Sequence, residues 1–250
     1  MLSRQRWEKA GAVVFALAIW QIGAMLLRQD LLLVAPTTVA QRLVSLFAED
    51  DFLRTISFSC KRIASGFLLA LLFGSMLAAA AGRIRLVEVV LEPFVAAIKS
   101  VPVASFIILC LIWLSSSSLA VFIAWLMAFP IIYTNVLQGI RSTDRKLLEM
   151  AEVFRVGWLK RMRYIHLPHL KPYLVSACSV AVGLSWKAGV AAEVIGIPDG
   201  SIGEKLYQAK VYLSTSDLFA WTAVIVVVSI VFEKLFLLLL RRLFLGLERW

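Results

Sequence analysis

The chain is built around stretches of nearly uniform apolarity, each about as long as a bilayer's hydrocarbon core is thick, and that feature leaves few folds open. A helix rises about 1.5 Å per residue, so a crossing takes about 20 apolar residues. Six stretches qualify: Ala10 to Leu27, Ile63 to Ala81, a less regular third ending in Val103 to Leu114, Leu119 to Leu137, Tyr173 to Ala192 and Leu218 to Leu240. Hydrophobic residues make up 61% of the chain, and a soluble domain of 250 residues would leave far too much of that surface in water. Lipid must cover it. Inside lipid each backbone N–H and C=O must be paired, which a helix does within itself. The expected fold is all-α and integral to the membrane, with six transmembrane helices, the second carrying Gly66, Gly74, Ser75 and Ala78 to Ala81 for close packing.

The net charge of +10 takes its meaning from position. Lys and Arg gather at the ends of the apolar stretches rather than on one soluble face, which argues against nucleic acid and for membrane orientation. With the N-terminus in the cytoplasm, that side receives Arg4, Arg6 and Lys9, then Arg83 and Arg85, then Arg141 to Lys171 with its many cations, then Arg241, Arg242 and Arg249. The other side receives fewer: Arg28, Arg42, Arg54, Lys61, Arg62, Lys205 and Lys210. Both termini are therefore expected inside. The first stretch resembles a signal peptide in its basic start, but no convincing small-residue cleavage site precedes Arg28 to Asp30, so it is expected to stay as a span.

Residues 1–61 are expected to hold the first span and an outer amphipathic segment, and residues 62–250 the core. Within the first outer segment, Val39, Leu43, Leu46 and Phe47 recur at helical spacing, which predicts a short helix at the membrane surface. Ser115 to Ser118 reads as a turn. Cys60, Cys110 and Cys178 are isolated, and the expectation is neither disulfide nor metal site. Trp7, Trp113, Trp158, Trp221 and Trp250 fall near span ends, as interfacial anchors do.

The segment 141–171 is far longer than a helix connection needs and mixes apolar with basic residues. Leu147, Leu148, Ala151, Phe154 and Leu159 have helical spacing, Gly157 can relax a turn, and Pro168 is expected to stop a second short helix before the next span. Two short amphipathic helices follow, and by composition alone they suit anionic lipid or a protein partner equally.

Glu149-Met150-Ala151 followed by Ile165-His166-Leu167-Pro168 resembles the EAA loop of ATP-binding-cassette importer permeases, with the spacing from Glu149 to Pro168 kept. Met150 stands where that pattern has Ala and Arg155 where it has Gly, which leaves open how the turn between the short helices is made. The similarity covers nearly the whole chain and is nearest to the nitrate, sulfonate and taurine branch. It runs through Ala35-Pro36-Thr37, Arg62-Ile63-Ala64-Ser65-Gly66-Phe67, Leu91-Glu92-Pro93, Lys99-Ser100-Val101-Pro102, Arg141-Ser142-Thr143-Asp144 and Ala191-Ala192-Glu193. The resemblance implies a type I importer permease fold, the MetI-like fold, in the bacterial inner membrane. It also implies a permease homodimer, a dimer of separate ATP-binding subunits, an extracytoplasmic substrate-binding protein, and cargo such as a sulfonate, nitrate, taurine or a pyrimidine vitamin precursor. The loop would dock as a coupling helix, with Ala151, Phe154 and Leu159 in apolar contact, Glu149 pairing or capping at the docking surface, and Arg155, Gly157, Leu167 and Pro168 completing the docking segment. No GxxxxGK[ST] phosphate loop occurs, so the chain is expected to be no enzyme and to bind no cofactor, with ATP-Mg held by the partner.

Charges inside spans cost about 2.5 to 3.5 kcal/mol each and call for a wet path or a partner. Lys187, beside Trp186 in the fifth span, is the leading candidate for a cation lining a path for anions; the alternative is that it snorkels or pairs with an acid on a neighbouring helix. Lys99, Ser100 and Pro102 are the second candidate, because Pro102 breaks a helix and irregular backbone at membrane depth survives only when buried or lining a cavity. Glu193 ends the fifth span, where it either meets the delivering protein or marks the water boundary. His166 and His169 lack the carboxylate or thiol set of a metal or catalytic site and read as docking or surface residues. Two rivals predict different things: an ion-gradient-driven secondary transporter needs intramembrane acids and an inverted repeat, and an intramembrane serine protease needs a histidine within the bilayer.

Overall fold

The computed structural model describes residues 2–27, 29 and 31–248. Arg28, Asp30, Arg249 and Trp250 lie outside the described residues, as do the side chains of Arg4, Arg6 and Lys9. The described residues fold into helices joined by short connections: α1 Leu2–Leu27, α2 Pro36–Leu46, α3 Phe52–Arg83, α4 Arg85–Ser100, α5 Val103–Cys110, α6 Ser116–Arg141, α7 Arg145–Val153, α8 Trp158–Arg161, a π turn Met162–His166, α9 Leu167–Gly196, α10 Ile202–Val211 and α11 Thr215–Glu248.

Among the described residues four helical stretches are long and apolar enough to cross a membrane: Phe52–Arg83, Ser116–Arg141, Trp158–Gly196 and Thr215–Gly246. The pair α4 and α5, bent by 104°, is apolar enough to cross only when the two helices are taken together as one broken span. The bend falls at the expected Pro102, which has no N–H to offer and holds Val101 extended, at φ −75° and ψ 129°. Gly11–Leu27, within the first expected span, is a shorter apolar helix.

The core is a three-helix packing of α3, α6 and α9, and small residues set its spacing. A Cβ on Gly66 would lie 2.3 Å from the Val121 carbonyl oxygen, and one on Gly189 2.7 Å from Ile63, so backbones meet where lipid supplies no competing drive for burial. Ala70, Ala78, Ala124, Ala128 and Ala181 fill the rest. Cys110 and Cys178 are buried as small apolar residues, and with half-buried Cys60 they are free thiols. By contrast α11 buries almost none of its apolar window and presents it outward.

Three sequence expectations change. The division after residue 61 falls inside α3, which runs unbroken from Phe52. Its first turns bury Phe52, Thr55, Ser59 and Arg62 at helical spacing, and polar residues at those positions hide the helix from a hydropathy reading. The amphipathic segment α2 lays its apolar side on protein: Leu46 joins Phe52, Ile202, Ala220, Trp221 and Val224 in one cluster. Trp221, expected at the lipid interface, is buried there because α2 folds over the start of α11.

Candidate functional site: an open loop and a sealed cluster

The loop begins with a cap. Asp144 stands extended before α7 and its carboxylate accepts the Lys146 N–H at 2.9 Å, satisfying one of the orphan donors of the first turn. Within α7, Ala151 is buried while Leu147, Glu149 and Met150 face outward. The helix ends in a double-bonded reversal, in which Val156 N–H donates to the Ala151 carbonyl at 2.8 Å and Arg155 N–H to that of Glu152 at 2.9 Å.

The reversal needs a left-handed residue, and Arg155 supplies it at φ +49°. Gly157, expected to relax the turn, instead has an ordinary φ of −60° as the N-cap of α8, with open space where a Cβ would be. The turn is thus made by a residue for which that conformation costs about 1 kcal/mol. Ile197 and Leu213 also take positive φ after helix ends, so Arg155 is the charged member of the set among the described residues.

Pro168 does not stop a helix. It sits in the first turn of α9, and α8, the π turn and α9 form one continuous stretch from Trp158 to Gly196. The proline ring has no N–H for the turn before it, and the backbone adapts by widening, with Leu167 N–H donating to Met162. Leu167 is half-buried and Pro168 exposed.

The loop is anchored at its edges and open at its corner. The Arg83 guanidinium lies 5.9 Å from the Trp158 ring centroid, His169 Nε2 is 3.1 Å from Ser142 Oγ, and Arg141 pairs with Glu88 of α4. His166 is half-buried at the end of the π turn. At the corner Phe154 is 74% exposed and Leu159 77%, with Val153 and Trp158 beside them.

The expected path residues do not gather. Lys99 and Ser100 are exposed at the end of α4, where Ser100 Oγ donates to the Ala97 carbonyl at 2.9 Å, and Pro102 is exposed at the bend. Trp186 and Lys187 are neighbours in sequence but about 100° apart around α9. Trp186 is core, its ring centroid 6.0 Å from that of Phe232, whereas Lys187 is exposed. Among the described residues no acid pairs with Lys187, which sets aside the neutralising partner considered above.

Glu193 is at neither a docking face nor a water boundary; its side chain is fully enclosed. Oε2 accepts from Ser59 Oγ at 2.7 Å and from Gly203 N–H at 3.4 Å, and Ser59 Oγ in turn accepts from Ile202 N–H at 2.9 Å. Arg62 Nη1 lies 3.9 Å from Glu193 Oε1, and its Nη2 donates to the carbonyls of Ser116, at 2.7 Å, and Ser117. One pair of charges therefore ties α3, α6, α9 and α10 together at the end of the bundle away from the loop. A Cβ on residue 203 would lie 2.3 Å from the Glu193 Cβ, so glycine is required there.

Sequence reading missed Arg62, Ser59 and Gly203 as partners, and also Glu233 of α11, whose Oε1 accepts from Ser179 Oγ at 2.6 Å. A ladder along α6, in which Phe122, Trp125, Phe129 and Tyr133 are spaced 5.5 to 6.0 Å apart, was legible as aromatics at helical spacing but was not singled out.

The sequence profile of binding-protein-dependent transport system inner membrane components matches residues 70–246. The chain is 28% identical over 229 residues to a putative aliphatic sulfonates transport permease of Bacillus subtilis, covering 91% of this chain and 83% of that one. It is 29% identical over 203 residues to a nitrate import permease of Synechococcus elongatus, covering 77% and 72%. A solved amino acid ABC transporter chain superposes with a TM-score of 0.58 at 17% identity, over 81% of this chain and 96% of that one, which shows a shared fold.

Proposed function

Because the chain belongs to the binding-protein-dependent transport system inner membrane components, we propose that it is the membrane half of an ATP-driven importer and passes a small anion by alternating access. It is a multi-pass inner-membrane protein, and both termini and the 141–171 loop lie in the cytoplasm, in keeping with the excess of Lys and Arg on that side. A second copy completes the pathway. A separate ATP-binding dimer holds the ATP-Mg, and a binding protein delivers cargo from outside.

The observation that carries the reading is the loop corner, where Phe154 and Leu159 stand in water on short helices braced from behind by Arg83 and Ser142. Large apolar side chains projecting from a braced support are what a groove on another protein receives. Burying each would contribute about 1.5 to 3 kcal/mol to docking. Cargo as a small oxyanion is supported by the names of the sulfonate and nitrate relatives and by Lys187, a cation on the open side of a core helix.

The test is uptake into vesicles holding this chain, its ATP-binding subunit and its binding protein, with short alkanesulfonates and nitrate as probes. Uptake should require ATP and all components and should fall when Lys187 is replaced by Leu. Equal uptake driven by an ion gradient without the ATP-binding subunit would overturn the reading, and unchanged uptake in Lys187→Leu would remove Lys187 from the path.

A further inference from the structure

Arg155 occupies a backbone position that favours glycine, at φ +49°, and its side chain is exposed. Among the described residues no hydrogen bond, ion pair or ring contact engages its guanidinium, although Glu149 and Glu152 are close in sequence. The side chain therefore contributes nothing visible to this chain's own fold, and it makes the left-handed position that the reversal requires costlier than glycine would. It also adds a cation to a segment that already carries Arg145, Lys146, Lys160, Arg161 and Arg163. An unpartnered charge amid like charges is stabilised when an opposite charge arrives from outside.

Its position says from where. Arg155 directly follows Phe154, both are exposed at the corner of the loop, and a long guanidinium side chain one residue on can reach the edge of a surface that covers that ring. We infer that Arg155 selects the partner: it pairs with a carboxylate on the rim of the ATP-binding subunit's groove that receives Phe154. This rests on the docking role proposed above and adds to it the chemistry of the rim. A guanidinium matches a carboxylate with two parallel N–H donors, so the contact carries direction as well as charge.

The experiment uses the full chain in vesicles of zwitterionic phosphatidylcholine and its co-expressed ATP-binding subunit, with the dissociation constant measured against ionic strength. Arg155→Gly relieves the backbone and should fold with an unchanged or higher Tm. It should weaken association about ten-fold at low salt, with the difference shrinking as salt approaches about 0.5 M. Arg155→Lys keeps the charge and should keep part of the affinity. Wild-type affinity in Arg155→Gly at all salt concentrations would overturn the inference, as would a loss seen only when anionic lipid is added, since the counter-charge would then be a headgroup phosphate. Phe154→Ala separates the two levels. If it loses association and Arg155→Gly does not, the rim carboxylate is wrong and the docking stands; if neither loses it, the docking itself is wrong.

Discussion

At one end of the bundle Glu193 and Arg62, the kind of residues that water normally keeps, are enclosed among four helices; at the other, Phe154 and Leu159, which protein or lipid normally keeps, face outward on a loop. The first arrangement is enclosed within the chain, with Glu193 Oε1 and the Arg62 Nε and Nη1 left facing each other as an ion pair without hydrogen bonds. Ser59, the Gly203 N–H and the Ser116 and Ser117 carbonyls take up polar valences that lipid could not satisfy. The second is not finished, because among the described residues nothing covers Phe154 and Leu159 at the corner between α7 and α8. Position against type thus sorts the unusual residues into those that hold this fold and those that await another molecule.

That contrast is broken most forcefully at Glu193. Glu193→Ala removes the acceptor for Ser59 and leaves Arg62 enclosed without a counter-charge, and should cost about 3 to 5 kcal/mol, read as a large fall in Tm in detergent. Glu193→Gln, which keeps acceptors for Ser59 and Gly203, should recover part of the loss. A Tm unchanged in Glu193→Ala would mean that the cluster does not hold the four helices.

Phe154→Ala is the mirror experiment. It should leave Tm untouched and weaken association with the ATP-binding subunit by about 1.5 to 3 kcal/mol, or about ten- to a hundred-fold. A fall in Tm with normal association would reverse the comparison.

Gly203→Ala sharpens the sealed side, because the new methyl would meet Glu193 at a distance no real contact tolerates. Overpacking of this kind should cost about 1 to 3 kcal/mol, measurable in the same melts. Asp51→Asn tests the smallest effect. The Lys205 ammonium, 2.5 Å away, holds the Asp51 carboxyl below its usual range. A lowered folded pKa means that the pair stabilises above the unfolded value near 4 and fades as pH falls through the folded one. The contribution should be under about 1 kcal/mol, because the pair is open to solvent. Wild type and Asp51→Asn should therefore differ slightly at neutral pH and converge in acid.

Much of the loop was legible beforehand because its signals are local. The run from Glu149 to Pro168, the apolar spacing of Ala151, Phe154 and Leu159, and the break at Pro102 are all read within a few turns of helix. The turn itself was only partly legible: Gly157 was expected to relax it and Arg155 at the usual Gly position left its geometry open, and the hydrogen bonds that close α7 place the left-handed residue on Arg155. Pro168 looked like a stop because a π turn, whose wider bonding lets the helix continue, has no composition of its own. The sealed cluster was the least legible part. Ser59 and Glu193 are 134 residues apart, and only the packing of α3 against α9 joins them.

The most direct test is the aqueous accessibility of residue 154. In a chain freed of its three native cysteines, Phe154→Cys should react quickly with a membrane-impermeant thiol reagent applied from the cytoplasmic side. The ATP-binding subunit, supplied well above the dissociation constant expected once the ring is lost, should protect it. Equal labelling with and without that subunit, or labelling only from the outer face, would contradict the assignment of this loop as its docking element.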